Sequence, residues 1–247
     1  MLGCSAVLVD LEQSDKADRQ AGFDTQISRN SIVDLRLVRQ QTDLSVICRV
    51  DRQRSIDKVL ISQIIEAGAD ELLIAMVEEP DELEAVMEFV GNEIKVGIMI
   101  ETVRAVAACK ELASLSPERV FLGLNDLWIE RHTNSRFDAL IDGTADAVAE
   151  ACGTIAFGVG GATHPDLGDP LAAIHLINEI NRLQADFTFL RRSFFDACIR
   201  SDAGEVVAAI KRSFVEASSR SEQQVHADYL AARAAIGVLA KSPGYER

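Results

Sequence analysis

No run in this chain reaches the roughly 18 consecutive apolar residues that a membrane-spanning helix requires, and Met1 to Val7 lack the basic stretch that opens a secretory signal. Basic residues are in deficit: Lys and Arg number 25 against 39 Asp and Glu, a formal net charge of −14. Phosphate backbones and anionic membranes call for a basic surface, so no nucleic-acid or membrane partner is expected, although a local anion site stays open. Cysteines are few. Cys4, Cys48, Cys109, Cys152 and Cys198 include no C-x-x-C pair, which argues against a zinc knuckle or a redox motif and for reduced thiols in a cytoplasmic protein. Prolines number five, and no Pro/Gly/Ser-rich linker divides the chain. What is present, 48% hydrophobic and 26% charged residues, excludes a disordered or collagen-like chain. A length of 247 residues suits a single α/β barrel, which commonly runs to about 250.

Seven short apolar runs rich in Val, Ile and Leu, at 6–9, 44–50, 71–75, 96–100, 120–123, 155–159 and 187–190, read as strands. Their continuity, rather than strict alternation, marks strands covered on both faces, as in parallel sheets. Between them apolar residues recur at helical spacing, for example Val59-Leu60 and Ile64-Ile65, or Leu83, Val86-Met87 and Val90. Repeated βα units and a parallel sheet follow. No G-x-G-x-x-G succeeds the first run, and polar residues recur just past the strand ends, so a TIM-type (β/α)8 barrel is favoured over a doubly wound sheet. Residues 1–200 form the expected barrel. Residues 201–247 form a C-terminal helical extension, with helices at 204–219 and 222–241 and a frayed end at 242–247. The extension is expected to pack on the barrel or on a neighbouring subunit of a homo-oligomer.

The strand ends carry the chemistry. The first run ends in Asp10-Leu11-Glu12, the second in Arg49-Val50-Asp51, the fourth in Glu101-Thr102 and the fifth in Asn125-Asp126. Glu101 and Asp126 follow adjacent strands, which lie about 4.8 Å apart, so both carboxylates can reach one hard cation such as Mg2+ or Mn2+. Arg49 offers a bidentate donor for a carboxylate or an enolate oxygen. A metal and an arginine on one cavity suit the negative charge that develops on a 2-oxo acid. The competing reading is that Glu101-Thr102 and Asn125-Asp126 merely cap helices.

These residues carry a resemblance. Val7-Leu8-Val9-Asp10-Leu11-Glu12 and Val46-Ile47-Cys48-Arg49-Val50 resemble the acidic and arginine strands of citrate lyase beta-subunit-like proteins. Ile74-Ala75-Met76-Val77-Glu78 resembles a strand end of the HpcH/HpaI aldolases. Ile98-Met99-Ile100-Glu101-Thr102 and Phe121-Leu122-Gly123-Leu124-Asn125-Asp126-Leu127 resemble the glutamate and aspartate strands of the pyruvate and phosphoenolpyruvate barrel superfamily. The resemblance covers about residues 5 to 195. It implies a (β/α)8 barrel, a divalent metal held by Glu101 and Asp126, a substrate oxo-acid end bound by Arg49, and Asp10 and Glu12 beside the metal waters. Three departures stand out. No histidine base follows the first acidic strand, and Gln13 stands where a further Asp is usual. Only seven strands are legible, so one βα unit is lacking, disguised, or outside this sequence. The loop from Gly158 to Pro170 matches no motif of the family.

Within that loop, Gly160-Gly161 would let backbone N–H groups approach an anion, or would form a tight turn. His164 is a candidate for proton transfer, as is His132, whereas His175 and His226 fall in helical patterns. Arg191-Arg192 would bind a distal anionic group or pair with an acid. Trp128 reads as packing, and Glu78-Glu79-Pro80-Asp81-Glu82 as a helix start. The expectation is a Mg2+- or Mn2+-dependent carbon–carbon lyase or aldolase acting on a 2-oxo acid or related carboxylate. The alternatives are a CoA-thioester lyase or hydrolase, a phosphoryl-transfer enzyme, or a barrel that binds without catalysis.

Overall fold

Short Val/Ile/Leu runs cannot bury two faces alone, and here they pair side by side in chain order. The computed structural model describes residues 3–12 and 29–241; Gln13 and the expected frayed end at 242–247 lie outside the described residues. Six strands, β1 (Ala6–Asp10), β2 (Ser45–Asp51), β3 (Glu71–Ala75), β4 (Lys95–Ile100), β5 (Arg119–Leu122) and β6 (Ala156–Val159), form one parallel sheet in the order β1-β2-β3-β4-β5-β6. The intervening helices are α1 (Ile32–Gln41), α2 (Arg52–Ser55), α3 (Lys58–Glu66), α4 (Pro80–Val90), α5 (Val103–Ala107), α6 (Cys109–Ser114), α7 (Leu124–Arg131) and α8 (Thr144–Cys152). After β6 come α9 (Ala173–Arg182), α10 (Arg192–Arg200), α11 (Ala203–Ser218) and α12 (Glu222–Leu239). Local chemistry starts many of them. Ser31 with Asp34 and Ser221 with Gln224 make capping boxes, Asp57 and Asp202 accept backbone N–H groups, and Pro80 opens α4.

Side chains alternate between two cores. Val46, Cys48, Val50, Leu72, Ile74, Val96, Ile98, Ile100, Val120 and Leu122 face the helices. Their neighbours Ile47, Leu73, Ala75, Met99 and Phe121 form a second, inner cluster, joined by Ala6 and Leu8 of β1 and by Phe187 and Phe189. Residues from the first strand and from past the last meet in one cluster, so the sheet is curled. On this inner series Glu71 and Arg119 pair at 2.6 Å, and the Arg119 guanidinium lies 4.9 Å from the Phe187 ring centroid.

The described residues show a curled six-stranded part of a barrel rather than eight full units. The expected strand at 187–190 touches β6 only through two isolated parallel bridges, Gly158 with Phe187 and Ala162 with Leu190. Gly160, at φ +73°, turns the chain out of a regular ladder at that point. A Cβ there would meet Leu176 Cδ1 at 2.9 Å, and one at Gly161 would meet Arg191 Cβ at 3.2 Å. The glycine pair therefore serves a close packing turn. Beyond it, Val206, Val207 and Ile210 of α11 share a cluster with Ala162, Leu190 and Cys4, so a helix stands between this segment and the start of β1. The sequence pattern showed no helix at α10. The extension packs on α9, where Arg220 donates to Asn178 O at 3.0 Å, and on the segment before α8, where Tyr229 Oη donates to Ile141 O at 3.3 Å; within the extension Arg220 pairs with Asp228 at 2.7 Å. The five cysteines are unbridged, and no helix among the described residues is long and apolar enough to cross a membrane.

Phe121 packs against Phe189 at a ring separation of 4.4 Å and against Phe187 at 6.0 Å. Phe121→Ala is expected to cost about 3–5 kcal/mol of unfolding free energy in urea; an unmoved midpoint would contradict this inner packing. Burial holds the Glu71 carboxyl above its ordinary 4.5 despite Arg119. A raised carboxyl stabilises fully below its unfolded value and loses that contribution as pH rises through the folded one. Glu71→Gln should therefore flatten the fall in stability as pH rises above about 4.5, read from urea titrations across pH.

Candidate active site

The inner series turns polar at the last residues of the strands. Two positions after Leu8 comes Asp10, two after Ile47 comes Arg49, two after Met99 comes Glu101, and two after Phe121 comes Gly123. A period of two thus brings these residues to one end of the interior. Asp10 and Arg49 are register partners on β1 and β2. Arg49 Nε donates to Asp10 Oδ1 at 2.9 Å and Nη2 to Oδ2 at 2.5 Å, a fork-to-fork pair, while Nη2 also lies 3.3 Å from Glu12 Oε2. Burial works against the charged guanidinium, but the hydrogen bond and charge of Asp10, with Glu12 and Glu101, hold its pKa above the ordinary value. Arg49 Nη1 approaches Met99 Sδ at 3.7 Å. Just beyond β1, Glu12 N–H donates to Asp10 Oδ1 at 3.0 Å, and Arg54 Nη1 donates to Leu11 O at 2.6 Å, so the acidic turn is tied down from α2.

Glu101 is 3% exposed. Its Oε1 accepts the Met76 N–H at 2.9 Å. Burial first, then the charges of Asp126 and Glu12, push its pKa up to about 8, against the pull of Arg49 and the Met76 N–H. Capping does not account for this residue, because the cap of α5 is Thr102, whose Oγ1 accepts the Ala105 N–H at 3.0 Å. Asp126 sits not on the strand but in the first turn of α7, half-buried, where the helix dipole favours a carboxylate; Gly123 is the cap residue of that helix and has no side chain to bond with.

The structure brings together Asp10, Glu12, Arg49, Glu101 and Asp126. His164 is placed elsewhere: its Nδ1 accepts the Asp166 N–H at 3.3 Å, and it lines a cavity of about 350 Å³ with Ser201, Glu205 and Arg212. His132 ends α7 in the left-handed region, exposed, and His175 and His226 ride α9 and α12. Arg191 Nη2 donates to Asp169 O at 3.1 Å, across the glycine loop. Trp128 is buried with Nε1 on Thr133 O at 2.7 Å, as a packing residue would be. Three contributors were not singled out in the sequence. Gly123 could have been found by its period-two spacing from Phe121; Met76 acts through its backbone N–H, and Arg54 reaches a backbone carbonyl far away in sequence, so neither leaves such a signal.

No family model and no curated protein matches the chain. Solved structures do. RipC from Yersinia pestis is 14% identical and aligns over 90% of this chain and 93% of its own, with a TM-score of 0.59. 3-Hexulose-6-phosphate synthase from Salmonella typhimurium is 12% identical over 87% of this chain and 100% of its own, at 0.56. Macrophomate synthase is 12% identical over 84% and 78%, at 0.53. The likeness is one of fold, an α/β arrangement of TIM-barrel type.

Arg49 is the cation that faces Asp10 and Glu12 in a buried setting. Arg49→Met should cost about 3–5 kcal/mol, because two buried carboxylates lose the guanidinium beside them. Arg49→Lys, which keeps the charge and loses the fork, should recover part of it in the same urea titrations.

Proposed function

We propose that this chain is a divalent-metal-dependent carbon–carbon lyase acting on a 2-oxo acid or related carboxylate. The observation that carries the reading is the gathering of acids at the strand ends: the charges of Asp126 and Glu12 act on the buried Glu101, and Arg49 is forked onto Asp10. The donor set is hard oxygen, which fits Mg2+ or Mn2+. Among the described residues no group of three or more His, Cys, Asp and Glu is arranged to hold a metal. Glu101 and Asp126 would thus be two protein ligands, which suits a cation that keeps several waters. The resemblance of the glutamate and aspartate strands supports the same assignment.

When bound, the cation would supply Lewis-acid stabilisation for the charge that develops as a C–C bond next to an oxo group breaks. The chain's own residues divide the remaining work. Arg49 would hold the oxo-acid end of the substrate, pre-oriented by Asp10. Asp10 has both oxygens on Arg49, which suits it to orientation. Glu12, at 3.3 Å from Arg49 Nη2, is the carboxylate that would accept or return a proton at its Oε atoms. Met99, Phe121, Phe189 and Leu8 form an apolar floor that keeps water from the reacting end.

A barrel that binds without catalysis is the second reading, favoured by one observation: none of the four histidines joins the acids. Turnover separates the two. Oxaloacetate cleavage should require Mg2+ or Mn2+, stop with EDTA, and fall about a hundredfold or more in Glu101→Ala. Turnover without metal, or unchanged in the variant, would overturn the lyase mechanism. Calorimetric binding of Mg2+ and oxalate with no turnover of any 2-oxo acid would select the second reading.

A further inference from the structure

We infer that Gly123 sets the size of the cation that the Glu101–Asp126 pair accepts; the inference rests on the metal-site reading above. The backbone of Gly123 has φ −83°, which any residue can adopt, so the glycine is not there for its conformational freedom. It is there for space. A Cβ at this position would lie 2.5 Å from Glu101 Oε2, 2.8 Å from Glu101 Cβ and 3.3 Å from Cδ. Glu101 therefore rests its carboxylate on the bare Cα face of Gly123.

The two sides of that contact are held differently. On the Glu101 side, Oε1 is tied to the Met76 N–H at 2.9 Å, and Met76 holds that N–H in place from the left-handed region, at φ +60°. On the other side, Gly123 N–H donates to Ile100 O at 2.9 Å, continuing the ladder of β4 and β5, and the same residue begins α7, whose first turn carries Asp126. Gly123 is thus the spacer between the two carboxylates. Restoring ordinary van der Waals contact, 3.4 Å in place of 2.5 Å, would need a displacement of about 0.9 Å. Mg2+ binds oxygen at about 2.0–2.1 Å and Ca2+ at about 2.3–2.6 Å, so across two ligands the sites differ by about 0.4–1.2 Å. One methyl group is a wedge of that size.

The test is calorimetric titration of the whole chain with MgCl2, MnCl2 and CaCl2, each alone. Wild type is expected to bind Mg2+ and Mn2+. Gly123→Ala should weaken both about tenfold or more and weaken Ca2+ less, moving the Ca2+-to-Mg2+ affinity ratio about tenfold towards Ca2+. Gly97→Ala is the control. A Cβ there would lie 2.5 Å from Glu71 Oε1, a comparable clash on the inner series against a different pair, and the ratio should not move. Should Gly123→Ala not fold, Glu101→Asp withdraws the same carboxylate by one methylene and should shift the ratio in the same direction. Equal weakening of all three cations in Gly123→Ala, or an unchanged ratio in the foldable variant, overturns the spacer role while leaving the metal site standing. Wild type that binds none of the three overturns the metal-site reading itself, and the spacer role with it.

Discussion

A strand in this sheet points every second side chain to the inner face of the curl, and that constraint orders the rest of the molecule. Ile47, Leu73, Met99 and Phe121 fill the interior at mid-height because only apolar groups can stand there without partners. Two ion pairs stand on the inner series. Glu71 meets Arg119 at the strand beginnings, and Asp10 meets Arg49 at the strand ends. The first pair closes the interior beneath the aromatic cluster. The second sits where the strands give way to loops, beside Glu12 and the buried Glu101.

The crowding of acids around Glu101 is the feature on which the proposed function builds. Burial alone raises the energy of an ionised Glu101, and Asp126 and Glu12 raise it further. Packing for stability alone does not call for such a gathering of acids. The structure clears space for the carboxylate with Gly123, spends a left-handed residue at Met76 to hold one of its oxygens, and anchors the neighbouring acidic turn through Arg54. Three separate elements converge on positioning acids, and the placement of Arg49 against Asp10 makes its orientation part of the same arrangement.

Much of this was legible in the chain as written. The six strands fall within a residue or two of the apolar runs, because a strand buried on both faces has to be continuously apolar. Asp10, Arg49 and Glu101 were legible too, since each is a polar residue at the end of an apolar run. Less legible was the segment at 187–190. Its Phe-Thr-Phe-Leu pattern has the composition of a strand, but Gly160 and Gly161 bend its neighbour away, so only two bridges form. His164 illustrates a further limit. A histidine in a glycine-rich loop after a strand has the composition of a catalytic group, yet the path of the loop carries it to α11.

The sequence by itself determined the parallel α/β class, the positions of the strands and the acids at their ends, because hydrophobic period and strand spacing are local properties of the chain. Only the tertiary structure decided which charges neutralise one another, that Asp126 rides a helix turn and not a strand, and that the segment at 187–190 joins the sheet through two bridges alone. Those outcomes depend on curvature and on contacts between residues far apart in sequence, such as Arg49 with Asp10 and Glu101 with Gly123, and a distance of an ångström between them is set by packing that no local pattern encodes.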